Sequence, residues 1–244
     1  MAVRKAAARP YLRQGHDAVR GAFEERLLGL LVPSLLDRAG GGALLELGCG
    51  DGLAGRLGGD RVTRYLGLDL EPAAASLPCL ARDLRNGLGP LEPRPFDLYL
   101  GFFGVASHLE PAELRRLLDD IARHARPGAV VALEALGLYS LEWPRLWSTA
   151  PGAERAVPYR LAADVMVHPW APAELFSRFE EAGIEPLHAL DRTLQAGPKA
   201  GAGRYWPGLP DVRAALNGLL CGDEPQAGLA APLPPLPAGL PALM

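Results

Sequence analysis

Ala43-Leu44-Leu45-Glu46-Leu47 is a short, nearly all-apolar run that ends in Gly48-Cys49-Gly50-Asp51-Gly52. A run this short, closed by glycine at alternate positions, reads as a buried strand driving into a sharp turn. Glycine accepts positive φ and leaves bare backbone against which a ligand can lie. The turn therefore predicts a nucleotide-type site at the carboxyl edge of an α/β sheet. By itself it does not select among nucleotide folds. The dinucleotide pattern GxGxxG asks for glycine or alanine at its sixth position, where this chain has Leu53, and GxxxxGK[ST] is absent.

The rest of the chain alternates short apolar runs with amphipathic ones. A helix is expected from about Asp17 to Leu36, with Val19, Phe23, Leu27, Leu30, Leu31 and Leu35 on one face, and Gly40-Gly41-Gly42 breaks it. Further strands are expected at Tyr65 to Leu70, near Leu77 to Ala81, at Phe96 to Gly101 and at Ala129 to Glu134. A helix opening at Glu110-Pro111 buries Leu114, Leu117, Leu118 and Ile121, and Arg126-Pro127-Gly128 turns the chain into the next strand. A helix from Pro172 to Ala182, a strand from Ile184 to Leu190 and a helix from Asp211 to Leu220 follow. Short apolar strands alternating with helices predict a Rossmann-like α/β fold, a mostly parallel sheet with helices on both faces. Residues 1–222 read as one domain, with 137–170 a substrate-binding insertion or lid and 223–244 a proline-rich tail.

Leu45-Glu46-Leu47-Gly48-Cys49-Gly50-Asp51-Gly52 resembles the first motif of class I S-adenosylmethionine (SAM)-dependent methyltransferases. The series continues in order. Gly67-Leu68-Asp69 is similar to the end of the family's second strand, about 20 residues past the glycines as one βα unit requires. Ala81-Arg82-Asp83-Leu84, Phe96 to Leu100 with His108-Leu109, and Arg126-Pro127-Gly128 resemble the later motifs. The resemblance implies a seven-stranded sheet with an antiparallel last strand and SAM as cofactor. It further implies that Gly48, Cys49, Gly50 and Gly52 cradle the methionine part and that Glu46 faces its ammonium. Asp69, beside Leu70, would hold the ribose; Asp83 and Leu84 the adenine; and the backbone around Gly101 and Phe102 the remainder.

The loop Gly101-Phe102-Phe103-Gly104 lacks the [DNS]-P-P-[YFW] tetrad of adenine and cytosine N-methyltransferases. With 25 basic against 28 acidic residues, the chain also has no net positive field to hold a polyanion. The expected acceptor is thus a small molecule rather than a nucleic acid, with oxygen favoured over nitrogen or carbon. Tyr139, Trp143 and Trp147, with arginines including Arg155, are the expected acceptor-binding residues of the insertion. An oxygen acceptor must lose a proton, and His108 is the first candidate base, ahead of Glu134 and His168. The resemblance also implies that Tyr11 and His16, ahead of the first helix as the N-terminal segments of the family often are, would close over the cofactor.

Cys49, Cys79 and Cys221 lie far apart in sequence and form no metal-ligand spacing, so they read as thiols rather than a disulfide framework, and no metal is expected. No apolar run follows the basic residues near the start, so neither a signal peptide nor a membrane span is expected, and the protein reads as cytoplasmic, a monomer or homodimer. Two other readings stay open: a relative that binds SAM without methylating, and a nicotinamide dehydrogenase, against which Leu53 speaks.

Overall fold

A computed structural model describes residues 18–73, 76–140, 143–150, 155–158 and 166–189. The expected helix at Asp211 to Leu220, the tail, Tyr11 and His16 lie outside the described residues.

Helix α1 (Ala18–Ala39) leads into β1 (Ala43–Leu47), α2 (Leu53–Gly58) and β2 (Arg64–Asp69). Strands β3 (Cys79–Ala81) and β4 (Leu98–Gly101) follow, then helix α3 (Pro111–His124) and β5 (Val130–Leu133). These five strands form one parallel sheet in the order β3-β2-β1-β4-β5. The chain thus winds outward from β1 in one direction, returns, and winds outward through β4 and β5 in the other. Where the winding reverses, between β1 and β4, the carboxyl ends of the strands leave a crevice open to a ligand.

Alternation along the strands divides the core. Leu45 and Leu47 of β1 and Tyr99 of β4 meet Leu114, Leu117, Leu118 and Ile121 of α3 on one face. Leu44, Leu98 and Leu100 meet Val32, Leu36 and Ala39 of α1 on the other. All four α3 residues are fully buried, on the face that their spacing predicts. Pro111 starts α3 where its missing N–H costs nothing, and the Glu113 carboxylate accepts from the Glu110 N–H at 2.8 Å. Leu117→Ala is expected to lower stability by about 2–5 kcal/mol, read as a fall in the urea midpoint.

Asp97 ties the start of β1 to the turn before β5. Its carboxylate accepts from the Ala43 N–H at 2.9 Å and pairs with Arg126 at 2.7 Å, while Arg126 also donates to the Ala39 carbonyl. Burial pushes the Asp97 carboxyl up, but these donors outweigh it and hold its pKa below the usual carboxylate range.

One expectation needs correction and another is met only in part. The buried stripe of α1 is Leu28, Val32, Leu36 and Ala39, one residue out of phase with the expected face, and Leu30 is 75% exposed. Leucines and valine nearly encircle this helix, so periodicity cannot choose a face; packing against Leu44, Leu98 and Leu100 does. Further along, helix α4 (Pro172–Glu181) forms as expected, but no strand follows it among the described residues. Pro186, inside the expected strand, has no N–H to give a ladder, and residues 184–189 pair with no strand among the described residues. The described residues thus hold five parallel strands of the expected seven, and any antiparallel last strand lies outside them. The antiparallel pair seen is a separate short hairpin, β6 (Val157–Pro158) with β7 (Met166–Val167). No helix of the described residues is long and apolar enough to cross a membrane.

Candidate functional site

The glycine turn opens at the crevice. Gly48, Gly50 and Gly52 have φ of 66°, 50° and 76°, the left-handed region that a side chain would strain. Leu47 pairs with Leu68, so the turn leaves β1 beside the end of β2. There the Leu68 carbonyl accepts the N–H groups of Gly48 and Cys49 at 2.7 and 3.1 Å. Nothing lies within 4 Å of the place where a Cβ of Gly50 would stand, so the turn presents open backbone.

Asp69 ends β2 and is 7% exposed. One carboxylate oxygen accepts from the Gly50 N–H and the other from the Glu71 N–H, each at 2.9 Å. A carboxylate has about four acceptor positions, so two remain on Asp69, a match for a pair of vicinal hydroxyls. Leu70, 41% exposed, stands next to it.

Glu46 is 5% exposed. It accepts from the Ala54 and Gly55 N–H groups at 3.2 and 3.3 Å, at the start of α2, and from the Tyr65 hydroxyl at 2.7 Å. Three acceptor positions are thus filled and about one is left. Burial pushes its pKa up from 4.5 to about 7, against the lowering by the Tyr65 hydroxyl and the two amides. Burial also raises the Tyr65 phenol, with the neighbouring Glu46 charge adding to it.

Asp83 follows β3 and caps a single 3-10 turn, Leu84–Asn86. Both of its oxygens are taken by the Arg85 guanidinium at 2.5–2.9 Å, one also by the Arg85 N–H, and this pairing lowers its pKa. Leu84 is buried in the core with α3.

Beyond β4, Gly101 makes room for the Val105 and Leu133 side chains, and Val105 also reaches to within 3.1 Å of where a Gly48 Cβ would lie. Val105 is therefore the spacer between the glycine turn and the β4 loop. Phe102 packs against the α1-side core, and Phe103 holds φ of 59°, the one described non-glycine residue with positive φ. The Glu134 carboxylate accepts the Phe103 N–H at 2.8 Å, and the Glu134 backbone closes on Gly101 and Ala106 at 2.7 and 3.2 Å. Strain of this kind persists only where the surroundings over-determine it. His108, half-buried, ends the 3-10 turn Val105–His108 that follows.

The insertion hangs from that same turn. Ser107, 1% exposed, accepts the Leu136 N–H on its hydroxyl at 2.8 Å and the His168 N–H on its carbonyl at 2.7 Å. The Trp170 indole donates to the Ala106 carbonyl at 3.3 Å and packs against His168, ring centroids 4.6 Å apart and planes inclined by 55°. Trp143 and Trp147 are buried, their indole N–H groups given to the carbonyls of Gly137 and Ser140. Arg155 is buried too, and its guanidinium pairs with Glu174 of α4 at 2.5 and 2.7 Å, so its charge is already met. Tyr139 is half-buried.

The structure brings Glu46, the three glycines and Asp69 together at one edge, with Gly101, Phe102 and His108 on the neighbouring loop. Tyr65, Ser107, Val105 and Cys79 belong to this neighbourhood and were not singled out from sequence. The β1–β2 register pairs Leu44 with Tyr65 and Glu46 with Gly67, which puts all four on one face. That register would have pointed to Tyr65 as the partner of Glu46. Cys49 and Cys79 are not far apart in space, since their sulfurs lie 3.7 Å from each other, and both remain free thiols. No cluster of three metal-ligating side chains occurs among the described residues.

A parallel sheet with this strand order and a bare glycine turn at its reversal point defines a Rossmann-like architecture. Among solved structures it is shared with 1,6-didemethyltoxoflavin-N1-methyltransferase of Burkholderia thailandensis, solved with 1,6-didemethyltoxoflavin and S-adenosylhomocysteine bound. That match has a TM-score of 0.56 at 18% identity and covers 82% of this chain and 87% of that one. A SAM-dependent methyltransferase of Clostridium acetobutylicum is similar at a TM-score of 0.55 and 11% identity, over 77% of this chain and 91% of that one. The chain has the fold of these methyltransferases. No family model matches the sequence, and no curated protein does.

Proposed function

We propose that the protein is a SAM-dependent methyltransferase acting on a small molecule. The observation that carries this reading is the set of acceptor positions left open around the glycine turn, two on Asp69 and one on Glu46, beside unobstructed backbone at Gly50. SAM offers a pair of ribose hydroxyls, then a methionine chain that ends in an ammonium and a carboxylate, and supplies an activated methyl group on the sulfonium between them. Asp69 would hold the hydroxyls, Glu46 the ammonium, and Gly48, Cys49, Gly50 and Gly52 the chain. Leu70 and Leu84 would flank the adenine; Asp83 would reach its amine only by sharing or giving up Arg85.

The toxoflavin-precursor enzyme, which has the same fold, supports a small-molecule acceptor. The protein's own work in such a transfer is alignment and exclusion of water. Tyr139, Trp143 and Trp147 would shape the acceptor wall, with the buried indoles giving it rigidity. His108 would take the proton of an oxygen acceptor, the acceptor atom that we favour, with Glu134 occupied in holding the β4 loop. The reading places the protein in the cytoplasm as a monomer or homodimer. Titration calorimetry of the full chain with SAM and with S-adenosylhomocysteine is the direct test, and both should bind. Absence of binding would remove the reading; binding without transfer to any of a panel of hydroxyl, amine and carbon acceptors would favour a SAM-binding regulatory relative.

A further inference from the structure

The sulfurs of Cys49 and Cys79 lie 3.7 Å apart because β2 has a glycine between them. A Cβ on Gly67 would stand 2.6 Å from one sulfur and 2.8 Å from the other. Gly67 pairs with Cys79 in the sheet, and Cys49 folds back over it from the glycine turn. The two thiols are unequal. Cys49 is buried, and burial first, then its neighbour Cys79, pushes its pKa well above that of a free thiol. Cys79 is partly exposed on the sheet's edge strand.

We propose that Cys49 and Cys79 form a redox-responsive dithiol, which a peroxide closes to a disulfide that disables the glycine turn. Cys79, the accessible partner, is the sulfur that reacts first. The Cys79 thiol gives up its proton and its thiolate attacks the peroxide; an S–O bond forms as the O–O bond breaks, and the hydroxide expelled takes up that proton to leave as water, so that Cys79 becomes a sulfenic acid. The Cys49 sulfur then displaces the sulfenic oxygen: the S–S bond forms, the S–O bond breaks, and a second water departs with the Cys49 proton. Two thiols lose two electrons and the peroxide becomes two waters.

A covalent S–S bond of about 2.05 Å requires the sulfurs to approach by about 1.6 Å from their present separation. Cys49 cannot yield freely, because its N–H is held by the Leu68 carbonyl and its own carbonyl accepts the Gly52 N–H at 2.7 Å. The closure is therefore passed to the backbone of Gly48 and Gly50, which borders the Asp69 carboxylate. The loss of SAM affinity expected from this rests on the function proposed above; formation of the bond does not.

The test treats the full-length protein with hydrogen peroxide and maps its peptides without reduction. The expected result is a linked Cys49–Cys79 peptide in wild type and in Cys221→Ser but none in Cys79→Ala. With it, SAM affinity should fall roughly tenfold or more and return on treatment with dithiothreitol, while Cys79→Ala stays insensitive. Over-oxidation of Cys79 without a link, or a link to Cys221 instead, overturns the dithiol. A Cys49–Cys79 link with unchanged affinity overturns its control of the turn. If reduced wild type binds no SAM, the function fails, and the link and hydrogen-exchange protection of the Gly48–Gly52 amides still decide whether the turn is locked.

Discussion

Asp69→Ala is expected to weaken SAM binding by on the order of a hundredfold or more, measured by calorimetry against wild type at one salt concentration. Two hydrogen bonds donated by neutral hydroxyls to a carboxylate are worth about 1.5–3 kcal/mol each, and the substitution would remove both. It also frees the Gly50 and Glu71 N–H groups that the carboxylate now accepts. Asp69→Asn separates the two effects, because its amide oxygen keeps one acceptor. S-adenosylhomocysteine should lose affinity in parallel, since it carries the same ribose. An Asp69→Ala protein that binds both ligands as wild type does would remove the ribose anchor from the proposal.

The second large effect is on pH. Glu46 has its pKa raised from 4.5 to about 7 in the folded protein. The folded state thus holds a proton between these values that the unfolded chain has released. Stability from this group is fully present below about pH 4.5 and is lost as pH rises to about 7, a change on the order of 3 kcal/mol. Denaturant titrations across that interval should show the decline, and Glu46→Gln, which stays neutral, should flatten it. SAM affinity should move the opposite way. An ammonium favours the ionised carboxylate, so binding should be on the order of tenfold weaker near pH 5.5 than near pH 7.5. A pH-independent affinity in wild type would place the ammonium away from Glu46.

How far the sequence carried the fold varies from element to element. Strand β1 and the α3 face were legible because nothing competed with them: one is a short apolar run ending in glycines, the other has a single apolar stripe. Helix α1 was legible as a helix but not in its orientation, because Leu27, Leu28, Leu30, Leu31, Leu35 and Leu36 cover more than one face. Ile184 to Leu190 alternates well enough for a strand, yet residues 184–189 have no ladder partner among the described residues, and a partner is not something composition contains. In the site, Asp69 stood out because a carboxylate ending an apolar strand is costly without a partner, and Glu46 through the resemblance of its motif. Tyr65 and Cys79 did not, because their meaning comes from strand register. Two residues 30 positions apart become neighbours only once β2 and β3 are laid side by side.

Ser107 accepts from Leu136 and His168, and Ala106 from Trp170. Both ends of the segment between Leu136 and Trp170 are therefore clipped to one four-residue turn, while Arg155 ties its described middle to Glu174 of α4. The half of the molecule built on β1 and β2 contributes nothing to those attachments. Under the proposed function, such a division would make the acceptor-recognition segment an interchangeable part. Its length and lining could be rewritten, by evolution or by an engineer, while its two ends stay clipped at a constant place beside His108. The specificity of a methyltransferase built this way would drift on a cofactor-binding half that stays put.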